Sequence, residues 1–212
     1  MNSDRIKALW ILSGLSLVML FPVVGWAIFH PSYFRSVTGF EEIASLSPIL
    51  FLSAIGIAVV YIFYTFKTVP FVLARQSELS TLKIVGIVSA FASGIMEELV
   101  FRKFLMDWGM SAGLGIPAQM LLSALVFGFA HASWGFIRGE FKIAIPVVLS
   151  TVGLSIPLGI LYVASGRNVL PCIVAHVLIN LVIEPWLILA AVSGKWAEDS
   201  KSINYAPSEP DS

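Results

Sequence analysis

An all-α fold, a polytopic integral membrane helical bundle of about six transmembrane helices, follows from three features of the sequence. Hydrophobic residues make up 58% of the 212 and charged residues only 12%, with a mean hydropathy of +0.89; soluble domains carry about 25% charged residues. Apolar stretches of about 20 residues, the length that crosses a hydrocarbon core of about 30 Å, recur along the chain. Lysine and arginine gather in alternate connections, as they do when cytoplasmic loops retain them.

The first stretch, Leu9–Phe29, follows Arg5 and Lys7 like the start of a signal peptide, but it reaches Phe29, His30 and Pro31 without a small-residue cleavage site, so it reads as a retained span. His30 reads as an interfacial residue. Pro31 to Ser47 is predicted to be a short external loop, with Glu41 and Glu42 a solvated acidic pair. Pro48–Phe66 is the second span. From Lys67 to Lys83 apolar Val69, Phe71, Val72 and Leu73 mix with Lys67, Arg75 and Glu78, the pattern of an interfacial segment on the inner face. The third span is Ile84–Leu105, where Ala90 and Gly94, like Ser89 and Ser93, stand four apart as close helix packing requires. Gly109 and Gly113 repeat that spacing near a loop, which suits a turn or a packing face. Pro117–Trp134, Ile143–Ala164 and Val169–Val192 complete the set, the last holding Cys172, the only cysteine, as a small buried side chain.

With the amino terminus inside, Arg5, Lys7, Lys67, Arg75, Lys83, Arg138, Lys142, Lys195 and Lys201 are cytoplasmic, while Arg35, Arg102, Lys103 and Arg167 are not. A multi-pass protein of a cell membrane with both termini cytoplasmic is expected, its partners being membrane lipids and a membrane-anchored substrate. A net charge of zero points to no nucleic acid. The length suits one domain in three parts: residues 1–83, N-terminal helices and the interfacial segment; 84–193, the core; and 194–212, a polar tail expected to be disordered.

Charge inside the apolar stretches carries the functional reading. Glu97, Glu98 and Arg102 end the third span, His131 closes Phe127-Gly-Phe-Ala-His131, and His176 and Asn180 lie in the sixth span. A charged side chain at mid-bilayer costs roughly 2.5–3.5 kcal/mol on insertion scales, so such residues face protein or water and mark function. Glu98 and Arg102, at i and i+4, share a helix face and can form an ion pair. Glu97, turned about 100° away, is free to meet a histidine from another helix. A carboxylate there can act as general base for water. His176 and Asn180, also at i and i+4, can aim two donors at one point, as an oxyanion hole requires where the helical backbone is already hydrogen-bonded. The same residue types suit a catalytic zinc, with Glu97, His131 and His176 as ligands. No His-Glu-x-x-His signature accompanies them, and a metal-free mechanism without any cofactor is favoured.

Glu-Glu-x-x-x-Arg, Phe-x-x-x-His and His-x-x-x-Asn, in this order and each in its own hydrophobic segment, resemble the motifs of the CAAX-processing and bacteriocin-processing protease family, also called the abortive-infection family. The resemblance spans roughly Ile84 to Val192 and is nearest the short prokaryotic members. It implies a polytopic intramembrane endopeptidase, a glutamic-type or metal-dependent hydrolase, whose four core helices enclose the site. It further implies Glu97 as activator of water, Glu98 and Arg102 as its supporting pair, His131 as a second polar wall, Phe127 as a packing residue, and His176 with Asn180 as the oxyanion hole. The residues after Arg102 read Lys-Phe-Leu-Met-Asp-Trp, where many relatives have a small residue, so fine specificity does not carry over. The competing readings are a non-catalytic immunity or scaffold protein and a proton or metal-ion transporter. One geometric conflict is expected: alternating spans put Glu97 and His176 near the outer side and His131 deeper toward the inner side.

Overall fold

Asn2 accepts the Asp4 N–H on its side chain and so starts α1, Ser3–Phe29. The computed structural model describes residues 2–137 and 141–196, and all regular structure among them is helical. After α1 come α2 (Pro31–Thr38), a 3₁₀ segment (Phe40–Ser45), α3 (Pro48–Thr68) and α4 (Pro70–Arg75). Then α5 (Thr81–Glu98) runs through a π-helical segment, Leu99–Phe104, into α6 (Leu105–Ser111). The chain returns through α7 (Ile116–Ala130) and a 3₁₀ segment (His131–Phe136), followed by α8 (Phe141–Ala164) and α9 (Leu170–Ser193). Proline stands in the first turn of α2, α3, α4, α7 and α9, where its missing N–H has no helical acceptor to lose.

Six helices among the described residues are long and apolar enough to cross a membrane. The protein is a multi-pass membrane protein. Side chains such as Phe21 (84% exposed) and Val60 (71%) stand on its outside; lipid covers such a surface, whereas water would penalise it. The third span runs Thr81–Ser111 as one apolar rod, longer at both ends than Ile84–Leu105.

The central helix is α9: 61% of its most apolar window is buried, against 17% for α1 and for α3. Apart from His176, Asn180 and Glu184 it is almost wholly apolar, as suits a helix enclosed by others. Its tightest neighbour is α5, which runs antiparallel to it. A Cβ at Gly94 would come within 2.6 Å of Val177, and one at Gly86 within 2.9 Å of Pro185. Gly94, read from the sequence as a packing position, is therefore where the two backbones approach, and Gly86, which that reading did not include, is a second such point. Pro185 has no N–H to offer the carbonyl of Leu181, and Lys83 of α5 donates its Nζ to that oxygen instead. Cys172 is buried, its Sγ donating to the Leu158 carbonyl at 3.3 Å.

The 67–83 segment departs from the expected surface-lying strip. Val69, Phe71 and Val72 are 3% exposed or less and belong to the core, because α4 packs against α9. Glu78 ties the segment down through Arg75 and Arg5 of α1. Glu42 is not simply solvated either, since Asn168 donates to it at 3.4 Å and to the Gly39 carbonyl at 3.1 Å. Arg138, Lys201 and residues 197–212 of the polar tail lie outside the described residues.

At the end of the bundle opposite Ser3 and Ser193, α6, α7 and the α8–α9 turn are locked by a polar cluster. Asp107 accepts from Arg167 Nε at 2.7 Å and Tyr162 Oη at 2.8 Å, and pairs with Lys103 at 3.1 Å. Arg167 also donates to Gln119 Oε1 at 3.1 and 3.2 Å, and Gln119 Nε2 donates to the Leu114 carbonyl at 2.6 Å. Gly113, at φ +82°, supplies the left-handed turn between α6 and α7, while Gly109 packs its Cα face on Gln119. The spacing read as turn or packing face is one of each.

Candidate active site

The first two motifs meet across the π-helical segment. A widened turn leaves a backbone carbonyl without its usual donor, and Ser123 of α7 donates to the Phe101 carbonyl at 2.8 Å. The turn is thereby stitched to the helix that carries His131. Glu98 and Arg102 are fully buried and 3.1 Å apart, an ion-pair distance whose angle falls short of a hydrogen bond. Arg102 Nη2 donates to Ser155 Oγ of α8 at 3.0 Å, and its guanidinium lies over the Phe127 ring, 4.6 Å from the centroid. Neither charge reaches the outer interface. Phe127 is more than filler: its ring also meets His131 edge-on at 4.5 Å and His176 at 5.9 Å.

Glu97 points away from that pair, and its Oε2 lies 3.8 Å from His131 Nε2 and 3.6 Å from His176 Nε2. That oxygen is buried and has no hydrogen-bond donor. Both rings are oriented from behind. His131 Nδ1 donates to the Phe127 carbonyl at 2.9 Å, and His176 Nδ1 donates to Glu98 Oε1 at 2.6 Å. The Nε2 atoms therefore face Glu97. Asn180 is oriented as well: Ser93 spends its hydroxyl proton on the Ser89 carbonyl at 2.8 Å, so it accepts from Asn180 Nδ2 at 3.0 Å. The second amide proton of Asn180 is left for the cavity.

The expected depth conflict is absent. Measured from the level of Asp107, Gln119 and Arg167, a rise of 1.5 Å per residue puts Glu97 about 15 Å down, His176 about 14 Å and His131 about 18 Å. The reason is the length of the third rod. Because it continues to Ser111, Glu97 lies near its middle rather than near the outer interface.

Glu97, His131, His176 and Asn180 line one cavity of about 610 Å³, which extends toward the end of the bundle that holds Thr68, Ile137 and Trp196. A second, more apolar cleft of about 540 Å³ lies between α3 and α8 and shares Tyr61, Tyr64, Ser150 and Leu154 with the first. Among the described residues no three His, Cys, Asp or Glu side chains are grouped tightly enough to hold a metal ion as they stand.

Glu184 also lines the cavity, and sequence reasoning missed it. It stands one turn beyond Asn180 on α9, and a carboxylate inside an apolar run is the signal that drew attention to Glu97. Ser155, which holds Arg102, carried no such signal, since serine is common in membrane helices.

Residues 79–182 match a family model described as type II CAAX prenyl endopeptidase Rce1-like. No curated protein and no solved structure matches the chain.

Proposed function

We propose that the chain, whose residues 79–182 match the Rce1-like family of type II CAAX prenyl endopeptidases, is an intramembrane endopeptidase in which Glu97 activates the attacking water. The observation that supports this reading is the convergence of Glu97 Oε2 with the Nε2 atoms of His131 and His176, at 3.8 and 3.6 Å. Glu97 takes a proton from water as the oxygen bonds to the peptide carbonyl carbon. It passes that proton to the leaving nitrogen as the C–N bond breaks. His131, with Nδ1 committed to a carbonyl, accepts a hydrogen bond at Nε2 from the water's other O–H, which stays on the oxygen, and so holds the nucleophile in place.

The oxyanion is held by His176 Nε2 and the free amide proton of Asn180. Donors fixed before reaction stabilise developing charge without reorganising. Glu98 and Arg102 fix the His176 ring, and their charges cancel. A His176 that donates from both nitrogens is an imidazolium, whose charge offsets that of Glu97.

The substrate is a membrane-anchored protein or peptide precursor. Its lipid-embedded part occupies the apolar cleft between α3 and α8, and the peptide passes Tyr61 and Tyr64 to reach Glu97. The cavity runs toward the end of the bundle where α1 begins and α9 ends, so if that end is cytoplasmic the peptide arrives from the cytoplasm.

One observation favours a zinc-dependent second reading: both Nδ1 atoms are engaged by oxygen acceptors, which leaves the Nε2 lone pairs facing a carboxylate. Glu97, His131 and His176 would hold the ion, which would supply Lewis-acid activation of the water and the carbonyl. Full activity after metal removal, verified by elemental analysis, eliminates it.

The test of the peptidase reading compares membrane-protein fragments in cells carrying the wild-type chain with those carrying Glu97→Gln. Fragments present only with the wild type are expected. Identical patterns on a verified substrate overturn the mechanism.

A further inference from the structure

Glu184 is a carboxylate that the proposed chemistry leaves unused. Its Oε1 accepts from Ser89 Oγ at 3.0 Å, while its Oε2 is buried without a donor. It sits on the wall of the cavity that holds Glu97, and no lysine or arginine is among the described residues lining that cavity. Lys83, the basic residue of the facing helix in that region, is committed to the Leu181 carbonyl. A buried carboxylate without a countercharge is costly, and removing that cost is a source of affinity for a cation. Aromatic rings stand in the same cavity: Tyr61 and Tyr64 on α3, and Trp134 edge-on to Trp196 at 6.2 Å. Ring faces attract cations.

We propose that Glu184 and these rings form a subsite for a positively charged side chain, lysine or arginine, of the peptide substrate. The proposal rests on the peptidase reading for what the peptide is doing there, while the binding it predicts does not need turnover. Glu184 lies two turns from His176 on α9, about 12 Å along the axis. An extended peptide advances about 3.3 Å per residue. The cation therefore sits two to four residues from the cleaved bond, the nearer limit allowing for the length of its own side chain. A substrate whose free C-terminal carboxylate had to lie at Glu184 would meet repulsion there, so the subsite selects an internal basic residue.

The experiment is a selection with the full chain in proteoliposomes. The probe is a library of N-palmitoylated peptides with eight randomised positions, and the protein carries Glu97→Gln so that peptides are bound and not cut. Peptides recovered are sequenced by mass spectrometry against empty vesicles of the same lipid. Enrichment of lysine or arginine by about tenfold or more is expected. It disappears when Glu184→Gln is added, a change that keeps the volume and the Ser89 hydrogen bond. Glu184→Lys instead enriches aspartate and glutamate. No enrichment over empty vesicles, or enrichment that survives Glu184→Gln in protein with an unchanged thermal midpoint, overturns the subsite. Should Glu184→Gln not fold, Glu184→Lys decides: basic enrichment that persists in it also overturns the proposal. Wild-type protein with the same library separates the two readings, since selective binding without cleavage retires the peptidase mechanism and leaves the subsite standing.

Discussion

Two polar clusters lie about 15 Å apart along the same helices, and they differ in one respect. Around Asp107, Gln119 and Arg167 the polar groups find protein partners: Asp107 has three, and both ends of the Gln119 amide are engaged. Around Glu97 satisfaction is incomplete: each supporting group makes at least one contact, but Glu98 Oε2 and Arg102 Nε and Nη1 have no hydrogen-bond partner, and neither has the cavity-lining Glu97 Oε2. Both Nδ1 atoms and the Asn180 amide are oriented from behind, yet Glu97 Oε2 has no donor. A satisfied cluster stabilises a fold. A cluster held rigid with one face left open is prepared to bind something that completes it. The two regions thus differ in whether an unpartnered oxygen borders an open cavity, as that of Glu97 does, and not in how polar each region is.

The comparison breaks first at Glu97. Glu97→Gln keeps the volume and removes the base, so turnover on a cleavable peptide is expected to fall at least about 1,000-fold while the thermal midpoint in detergent holds. Glu98→Gln separates support from chemistry. It leaves Arg102 buried without its counterion, and stability is expected to fall by about 3 kcal/mol, read as a lowered thermal midpoint, with a smaller loss of turnover per folded molecule than Glu97→Gln.

Asn180→Ala is expected to cost about 100- to 1,000-fold in turnover with little change in KM, because an oxyanion donor acts on charge that develops in the transition state. Its combination with a His176 substitution should be strongly non-additive if both hold one oxygen. Unchanged turnover by purified, folded Asn180→Ala would retire that assignment. The smallest effect belongs to the satisfied cluster. Asp107→Asn, at a partly exposed site, should lower stability by about 1 kcal/mol or less and leave turnover per folded molecule unchanged. A large loss of activity there would mean that the two clusters are coupled and that the contrast between them is false.

Much of the arrangement was legible in the chain. The spans follow from apolar length alone, because a bilayer admits only segments that satisfy their own backbone. The Glu98–Arg102 pair follows from helical spacing, and so does the turning away of Glu97. Less legible were the features that depend on where a helix ends. The reading of 67–83 as an interfacial strip failed because Phe71 and Val72 find a protein surface on α9 before they need a lipid one. Glu184 could have been found by its charge in an apolar run, but only the cavity shows that it faces the same space as Glu97.

By itself the sequence determined that this chain crosses a membrane as helices, that Glu97, Glu98, Arg102, His131, His176 and Asn180 are charged or strongly polar groups inside apolar spans, and which of them share a face. These are consequences of local periodicity and of the cost of charge in hydrocarbon, both of which act within one helix. Only the tertiary structure decided that Glu97, His131 and His176 share a depth, which of their nitrogens face one another, and which oxygens have no partner. Those depend on the length of the rod from Thr81 to Ser111, the π-helical segment stitched by Ser123, and the close approach of α5 and α9 at Gly86 and Gly94. Relative depth and orientation are set by packing between helices, and no pattern inside a single helix records them.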